Sequence, residues 1–456
     1  MPATEFESGR IAILGVGREG QAAREYLRSQ YPDIELSLLA EAEPDRALSA
    51  ALSDHDQLHI GPLSKAGLEK FDILVRSPGV SPYRKCIQNA RAAGVRITTP
   101  SNLWFAGHEN EQTVCITGTK GKSTTSALLA HILQSFGYRV CLAGNIGLPL
   151  LACDDRGVDW WIIELSSYQL ADLEARPDIS VILNLSPEHL DWHGSEQAYL
   201  DDKLRLAELA GDRPLVLNAG DSLLAELFAN RGKVSWFNSV SGIRADQGGL
   251  FDAGFPLAVV PPEGLPGTHN LSNTAAALTV LRIIGEDISA AGQSISSFRS
   301  LPHRLQMLGQ KEGIRYVNDS ISSTPVATVA ALEALGGQVT LLLGGLDRGL
   351  DWTPYMGRIK ARLPVSIIGI PDNGPRVIRE MRQAGINPPN GLHESENLVD
   401  AVELAKQLTP QGGLVLLSPG APSFPQFRDF SDRGRQFTEL CNFIPEQTES
   451  FQTGKK

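Results

Sequence analysis

The run Gly118-Thr119-Lys120-Gly121-Lys122-Ser123-Thr124 has the residue types and spacing to hold a polyphosphate. It follows the apolar stretch QTVCITG and precedes helical spacing from Ser123 to Phe136, a strand–loop–helix order. In that order the glycines let successive backbone N–H groups converge on one point, and the helix start adds the positive end of its dipole. The Lys122 amine can reach the β- and γ-phosphates, and the Ser123 hydroxyl can ligate Mg2+. The common form of such a loop has glycine where this chain has Ile116, so this is a shortened variant.

A second glycine pattern lies nearer the start. Gly15-Val16-Gly17-Arg18-Glu19-Gly20 separates the strand-like IAILGVG from helical spacing over Glu19 to Ser29, and Glu41 follows about twenty positions on. Read alone, this is a dinucleotide fingerprint. Its physics is more general, a pyrophosphate at a helix N-terminus, and UDP carries a pyrophosphate as NAD does. On these motifs alone, a nicotinamide oxidoreductase and a P-loop regulatory NTPase are both open readings.

The elements that must position these loops read as α/β throughout. LSLLAE and FDILVRSPG follow as strands in the first hundred residues; WWIIEL and VILNL flank the central unit; IRYVND, VTLLLGG, SIIGI and GLVLLSPG punctuate the last. Strands alternating with helical patterns predict parallel, doubly wound sheets. The stretch from Thr98 to Asn110, with Pro100, Gly107 and the polar His108-Glu109 pair, reads as a linker. Three domains in series are expected, over residues 1–105, 106–300 and 301–456, and 456 residues suit two or three domains. A net charge of -11 argues against nucleic-acid binding. The five dispersed cysteines, without a CxxC pair, suggest reduced thiols in the cytoplasm. No stretch has the length of a membrane helix, and the N-terminus lacks the pattern of a secretory signal.

Further segments occur in an order that is more specific than any one of them: Gly144-Asn145-Ile146-Gly147, Glu164-Leu165-Ser166-Ser167, NLSPEHLD with His189, His269-Asn270 with Asn273, Leu301-Pro302-His303-Arg304, and Asn318-Asp319-Ser320. Together with the TGTKGKST loop they resemble the Mur ligase family along essentially the whole chain, and its MurD-like, glutamate-adding branch above the others. Folylpolyglutamate synthases share a similar loop, but the full N-terminal nucleotide domain speaks against them. The resemblance implies an N-terminal Rossmann-like UDP-binding domain, a central P-loop ATPase domain and a C-terminal Rossmann-like domain. It implies ATP bound by Gly118 to Thr124, Asn270, Asn273, Arg304 and Asp319. It implies two Mg2+ sites, one on Ser123 and Glu164, the other on His189 and a carbamylated lysine at Lys203. Lys122, His189 and Lys203 are then the catalytic residues. Gly15, Gly17, Ser77, Pro78, Gly79 and Asn145 would hold the UDP substrate, which favours UDP over NAD in the first domain. His193 and Trp192 match nothing the family pattern requires and read as structural.

The implied activity is ATP-dependent joining of glutamate to UDP-N-acetylmuramoyl-L-alanine in peptidoglycan precursor synthesis, by a cytoplasmic monomer. At the glutamate site the chain departs from ordinary MurD. Two lysines of that pattern are absent: Ile321 stands for one, and Leu346-Asp347-Arg348-Gly349 occupies the turn that holds the other. Arg348 keeps a cation able to clamp a carboxylate. Inverting the α-carbon while both carboxylates stay bound requires moving a positive partner. NDSISSTP and GGLDRGLDW resemble the branch that adds L-glutamate, which is the expectation here; D-glutamate is the alternative. Ser323, Arg348, Ser423 and Phe430 are the candidate glutamate residues.

Overall fold

The computed structural model describes residues 6–7, 9–44, 48, 51–154, 156–246, 249–257, 267–335 and 337–445. The chain divides into two compact units, Met1–Ala258 with Ser272–Ala291, and Gly292–Ser450 with Val259–Leu271. Among the described residues no helix is long and apolar enough to cross a membrane.

The first unit holds two large sheets. The N-terminal one is built from β1 (Ile11–Leu14), β2 (Leu36–Ala40), β3 (Asp56–Ile60), β4 (Ile73–Arg76) and β5 (Arg96–Thr98), with helix α1 (Arg18–Gln30) after β1 and α2 (Lys85–Ala92) after β4. Its order is β3-β2-β1-β4-β5, all parallel. IAIL and ILVR are buried at every position, as strands covered on both faces must be. The order reverses between β1 and β4, and ligands of open parallel sheets bind where it does. The loops leaving that point begin at Gly15 and Ser77.

The Thr98–Asn110 stretch is not a linker. Pro100–Gly107 is a helix, α3, capped by the Thr99 side chain, which accepts from the Asn102 N–H at 3.1 Å. Proline at N1 and threonine at the N-cap start a helix, and Leu103, Trp104 and Phe105 bury it. The Trp104 ring packs edge-on to Trp161 of the next sheet, 4.7 Å between centroids.

That sheet runs β11-β10-β9-β6-β8-β7, again all parallel. Its strands are β6 (Thr113–Thr117), β7 (Val140–Gly144), β8 (Trp160–Glu164), β9 (Ile179–Ile182), β10 (Leu215–Asn218) and β11 (Val234–Phe237). The helices that matter here are α4 (Lys122–Ser135), the single turns α5 (Ser167–Leu170) and α6 (Leu190–His193), and α7 (Glu196–Ala210). A small antiparallel sheet of β12 (Ile243–Asp246), β13 (Gly249–Asp252) and β14 (Phe255–Pro256) was not foreseen from sequence, and α8 (Thr268–Ile284) follows it.

The second unit is one six-stranded sheet, order β15-β16-β20-β17-β18-β19. Here β15 (Gln306–Lys311) is an antiparallel edge on β16 (Ile314–Asn318), while β17 (Val339–Leu343), β18 (Ser366–Gly369), β19 (Leu392–Glu394) and β20 (Leu414–Leu417) are parallel. α9 (Pro325–Ala334) and α10 (Phe430–Leu440) pack on it. The three large sheets are the α/β domains the alternating pattern predicts.

Candidate active site

β6 is central in its sheet, with β8 on one side and β9 on the other, so the loop at its carboxyl end sits at a switch point. Gly118 and Gly121 both have positive φ, 153° and 86°. A Cβ on Gly121 would overlap the Asn273 amide oxygen, so glycine is required for shape and for backbone angle. Asn184 braces the loop: its carbonyl accepts from Thr119 N at 2.8 Å, its side-chain oxygen from Lys120 N at 2.8 Å, and its amide donates to Lys120 O at 2.9 Å. The Lys122 ammonium lies over its own loop, donating to the Gly118 and Thr119 carbonyls at 2.9 Å each.

Glu164 ends β8 beside this loop and is fully buried. One carboxylate oxygen accepts from the Asn145 amide at 2.6 Å; the other, Oε2, is buried with no hydrogen-bond partner among the described residues. A buried carboxylate oxygen left in that state is the donor a hard cation takes. With the Ser123 hydroxyl at the start of α4, the residues present fit one Mg2+. Asn145 thus touches the candidate metal ligand Glu164 while standing in the loop expected to meet the UDP substrate.

Lys203 lies on α7 and is 2% exposed. Its amine donates to Gly118 O at 2.8 Å and Thr117 Oγ1 at 3.2 Å. Burial, with the Lys122 charge second, holds its pKa well below the ordinary lysine range. Such an amine is neutral for part of the time and keeps a lone pair, the form that can add CO2. His189 caps α6 in the left-handed region, φ 55°. Burial lowers its pKa, so near neutral pH the imidazole is uncharged and able to ligate.

In the first domain, Ser77 donates to Gly15 O at 2.6 Å, tying the two candidate UDP loops together. A Cβ on Gly20 would overlap Gly15 O and reach Ser77 Oγ at 2.8 Å, so the third glycine serves close packing. Glu41 accepts both Arg84 nitrogens at 2.7 Å and Leu63 N at 3.1 Å. The acidic residue of the fingerprint is therefore committed to an ion pair. Arg18 donates to Gly147 O, linking the first glycine loop to the Gly144–Gly147 loop.

In the second unit, Asp319 is buried and accepts from Ser322 Oγ at 2.5 Å, Ser418 Oγ at 2.7 Å and Leu305 N at 3.1 Å. Burial raises its pKa to about 6 against those bonds and the Arg304 charge. The segments bearing Ser323, Arg348 and Ser423 are bonded to one another: Gly420 N to Ser322 O at 2.9 Å, and Leu346 N to Pro422 O at 2.9 Å. Ser320 Oγ donates to Phe430 O at 2.7 Å, bringing in the fourth. Arg348 is exposed and has no ion-pair partner among the described residues. Asn270 and Asn273 are both buried, three residues apart on α8.

Residues 116–281 match the Mur ligase middle domain, and residues 9–99 the Mur ligase MurD-like N-terminal domain. A Xanthomonas oryzae protein named UDP-N-acetylmuramoyl-L-alanine--L-glutamate ligase is 44% identical, over 98% of this chain and 97% of its own. The chain belongs to the Mur ligase family. This Mur ligase is also 36% identical to a Micromonospora protein of the same name, over 96% of this chain and 98% of that one. Its fold is similar to that of UDP-N-acetylmuramate-alanine ligase MurC from Thermotoga maritima, at TM-score 0.60 and 17% identity over 95% of this chain and 99% of that one. It is likewise similar to the MurF ligase of Thermotoga maritima in complex with ADP, at TM-score 0.59 and 16% identity over 96% and 95%.

Two buried arginines of this Mur ligase escaped sequence reasoning. Arg76, at the end of β4, pairs with Asp172 at 2.6 Å and donates to the carbonyls of Ser77, Pro78 and Val80, so it shapes the second candidate UDP loop. Arg433, on α10, donates to Ser320 Oγ at 3.0 Å, Ser320 O at 2.8 Å, Ala421 O at 3.0 Å and Gly344 O at 3.4 Å. It joins the loops at the carboxyl ends of β16, β17 and β20. Neither has a local sequence signal, because every partner but those of the adjacent Ser77–Val80 loop lies far along the chain.

Proposed function

We propose that this Mur ligase joins L-glutamate to UDP-N-acetylmuramoyl-L-alanine, with ATP as phosphoryl donor, in peptidoglycan precursor synthesis. The observation that carries the ligase chemistry is the buried Glu164 oxygen beside the phosphate loop, without a hydrogen-bond partner among the described residues, which suits a metal ion next to a triphosphate. The three ligands are assigned to three domains, UDP to residues 1–105, ATP to 106–300 and glutamate to 301–456.

Two anions must meet, the alanyl carboxylate and the triphosphate. Mg2+ held by Ser123 and Glu164, and a second held by His189 and the Lys203 carbamate, would supply the neutralising charge. Lys203 becomes anionic when its amine forms an N–C bond to CO2 and loses a proton. Gly118 to Thr124 grip the phosphates through backbone N–H groups, and Lys122 leaves its resting carbonyls for the transferring phosphate. An alanyl carboxylate oxygen attacks the γ-phosphorus and ADP leaves. The glutamate amine then attacks the acyl phosphate carbon, the C–N bond forms, phosphate departs and the amine gives up a proton. Asn270, Asn273, Arg304 and Asp319 address the nucleotide. Holding amine and acyl phosphate together supplies proximity.

The L-configuration is supported by the name the Xanthomonas and Micromonospora relatives carry and by Ile321 and Arg348 in the glutamate loops. Arg348, exposed and without an ion-pair partner among the described residues, is the cation assigned to a glutamate carboxylate, with Ser323, Ser423 and Phe430 as the other candidates. The enzyme is proposed to work as a cytoplasmic monomer. Phosphate release with UDP-N-acetylmuramoyl-L-alanine, ATP and Mg2+ tests the reading. Turnover with L-glutamate alone is expected; turnover with D-glutamate alone refutes the stereochemical assignment, and silence with both refutes the substrates.

A further inference from the structure

Trp192 and His193, without a role in the family pattern, lie at a joint. His193 is 2% exposed; its Nδ1 is 2.7 Å from Asp202 Oδ2 and its Nε2 3.0 Å from Ser167 Oγ. The other Asp202 oxygen accepts from the Tyr83 hydroxyl at 2.6 Å. Asp202 immediately precedes Lys203 on α7, so the turn that presents Lys203 is held on both carboxylate oxygens. One hold comes from α6, the other from the first domain. α6 is a single turn with His189 at its N-cap and His193 at its last position. Any rotation of that turn moves both.

Trp192 completes the connection. Its indole N–H donates to Gly79 O at 3.2 Å, and its carbonyl accepts from Ser81 Oγ at 2.8 Å. Its ring stacks on Tyr168, 4.2 Å between centroids at 16°, and Tyr168 in turn meets His189 edge-on at 5.3 Å. Gly79 belongs to a candidate UDP loop. Contacts that served only to glue two domains could fall anywhere along them. These run from Gly79, Ser81 and Tyr83, at and just after the segment that would hold the UDP substrate, to Trp192 and Asp202, which stand beside the residues that would hold the second metal.

We propose that Tyr83, Trp192 and His193 are positioning residues that couple occupancy of the Ser77–Gly79 loop to the placement of His189 and Lys203. Substrate in the first domain then favours the metal-ready arrangement, and by reciprocity the loaded metal site favours substrate. This rests on the function proposed above.

The test is calorimetric, on the full chain in bicarbonate buffer. The Kd for UDP-N-acetylmuramoyl-L-alanine is measured without and with Mg2+ plus a non-hydrolysable ATP analogue, and the ratio is the coupling factor. A wild-type factor of about five or more is expected, in the ordinary range for linked sites. Tyr83→Phe keeps its ring and loses the hydroxyl, and Trp192→Phe keeps an aromatic ring and loses the indole N–H; each should cut the factor about three-fold while leaving Kd without Mg2+ within about two-fold. The same variants should weaken the carbamate signal that 13C-bicarbonate gives at Lys203, a readout independent of turnover. His193→Asn, whose amide can donate to Asp202, should keep the coupling that His193→Ala loses. A wild-type factor near one, or an unchanged factor in folded Tyr83→Phe and Trp192→Phe, overturns the proposal. Wild-type protein that fails to bind the UDP compound at all overturns the assigned function, and this proposal with it.

Discussion

Glu164→Gln should make the metal-free protein more stable and the metal-loaded protein less so. In the wild type one carboxylate oxygen is matched by Asn145 at 2.6 Å and the other is buried without a hydrogen-bond partner among the described residues. A buried polar group left unsatisfied costs about 1–3 kcal/mol, more when charged. Glutamine keeps the Asn145 bond and removes the charge, but leaves a neutral N–H2 where Oε2 stood. The net gain is therefore set at the low end, about 1 kcal/mol. For a domain of this size that is a rise in melting temperature of about 2–4 °C. Adding Mg2+ with a non-hydrolysable nucleotide should raise the wild-type melting temperature by mass action and the variant's much less. The two melting curves should thus change places. Ligase turnover should fall about 100-fold or more in the variant. Scanning calorimetry of both proteins in chelator and in Mg2+ nucleotide decides it. A variant less stable than wild type in chelator, or an equal Mg2+ shift in both, would refute the reasoning.

Lys203→Ala should lose about 100-fold or more in turnover and regain part of it with small carboxylates that stand in for the carbamate; wild-type rates would show another group at that metal. Arg433→Met removes four hydrogen bonds among the glutamate loops, at about 3 kcal/mol or more of stability. Steady-state kinetics should show KM for glutamate rising well above any change in KM for the UDP substrate. Asp56 has a fully buried side chain paired with Arg24 at 2.7 Å and Arg28 at 2.8 Å. Burial would raise its pKa, but hydrogen bonds from Arg24, Ser53 and Arg28 outweigh it and hold the carboxyl below the usual range. Its contribution is therefore complete above an unfolded pKa of about 3.9 and lost as pH falls below that. Melting temperatures from pH 6 down to 2 should drop more steeply in the wild type than in Asp56→Asn, and the variant should already be about 3–5 kcal/mol weaker at pH 6.

The chemistry most legible in the sequence was the kind written in short, contiguous runs. The phosphate loop needs its glycines, lysine and serine within seven positions, and β6, α4 and Asn184 hold it as that spacing requires. The parallel sheets were legible because strands buried on both faces leave unbroken apolar runs such as WWIIE and LVLL. The α3 helix was misjudged on its proline and glycine, although Thr99-Pro100 is a helix start and the glycine ends it. The β12–β14 sheet was missed because its strands are two to four residues long, too short for periodicity to register. Arg76 and Arg433 were invisible for a different reason: a buried arginine is defined by carbonyls that only folding brings to it. Trp192 and His193 were seen and set aside, since their partners Gly79, Ser81 and Ser167 are not sequence neighbours.

The resting position of Lys122 bears on how the reaction ends. Its ammonium donates to two oxygens of its own loop, the carbonyls of Gly118 and Thr119. Nucleotide must compete with the loop's own backbone for that charge. On the proposed mechanism a triphosphate with its terminal group in reach would win; once that group has passed to the alanyl carboxylate oxygen and left as phosphate, the remaining diphosphate would offer a weaker claim. The amine could then return to the same two carbonyls. On the proposed function the loop would act as a latch with a built-in return, favouring release of ADP.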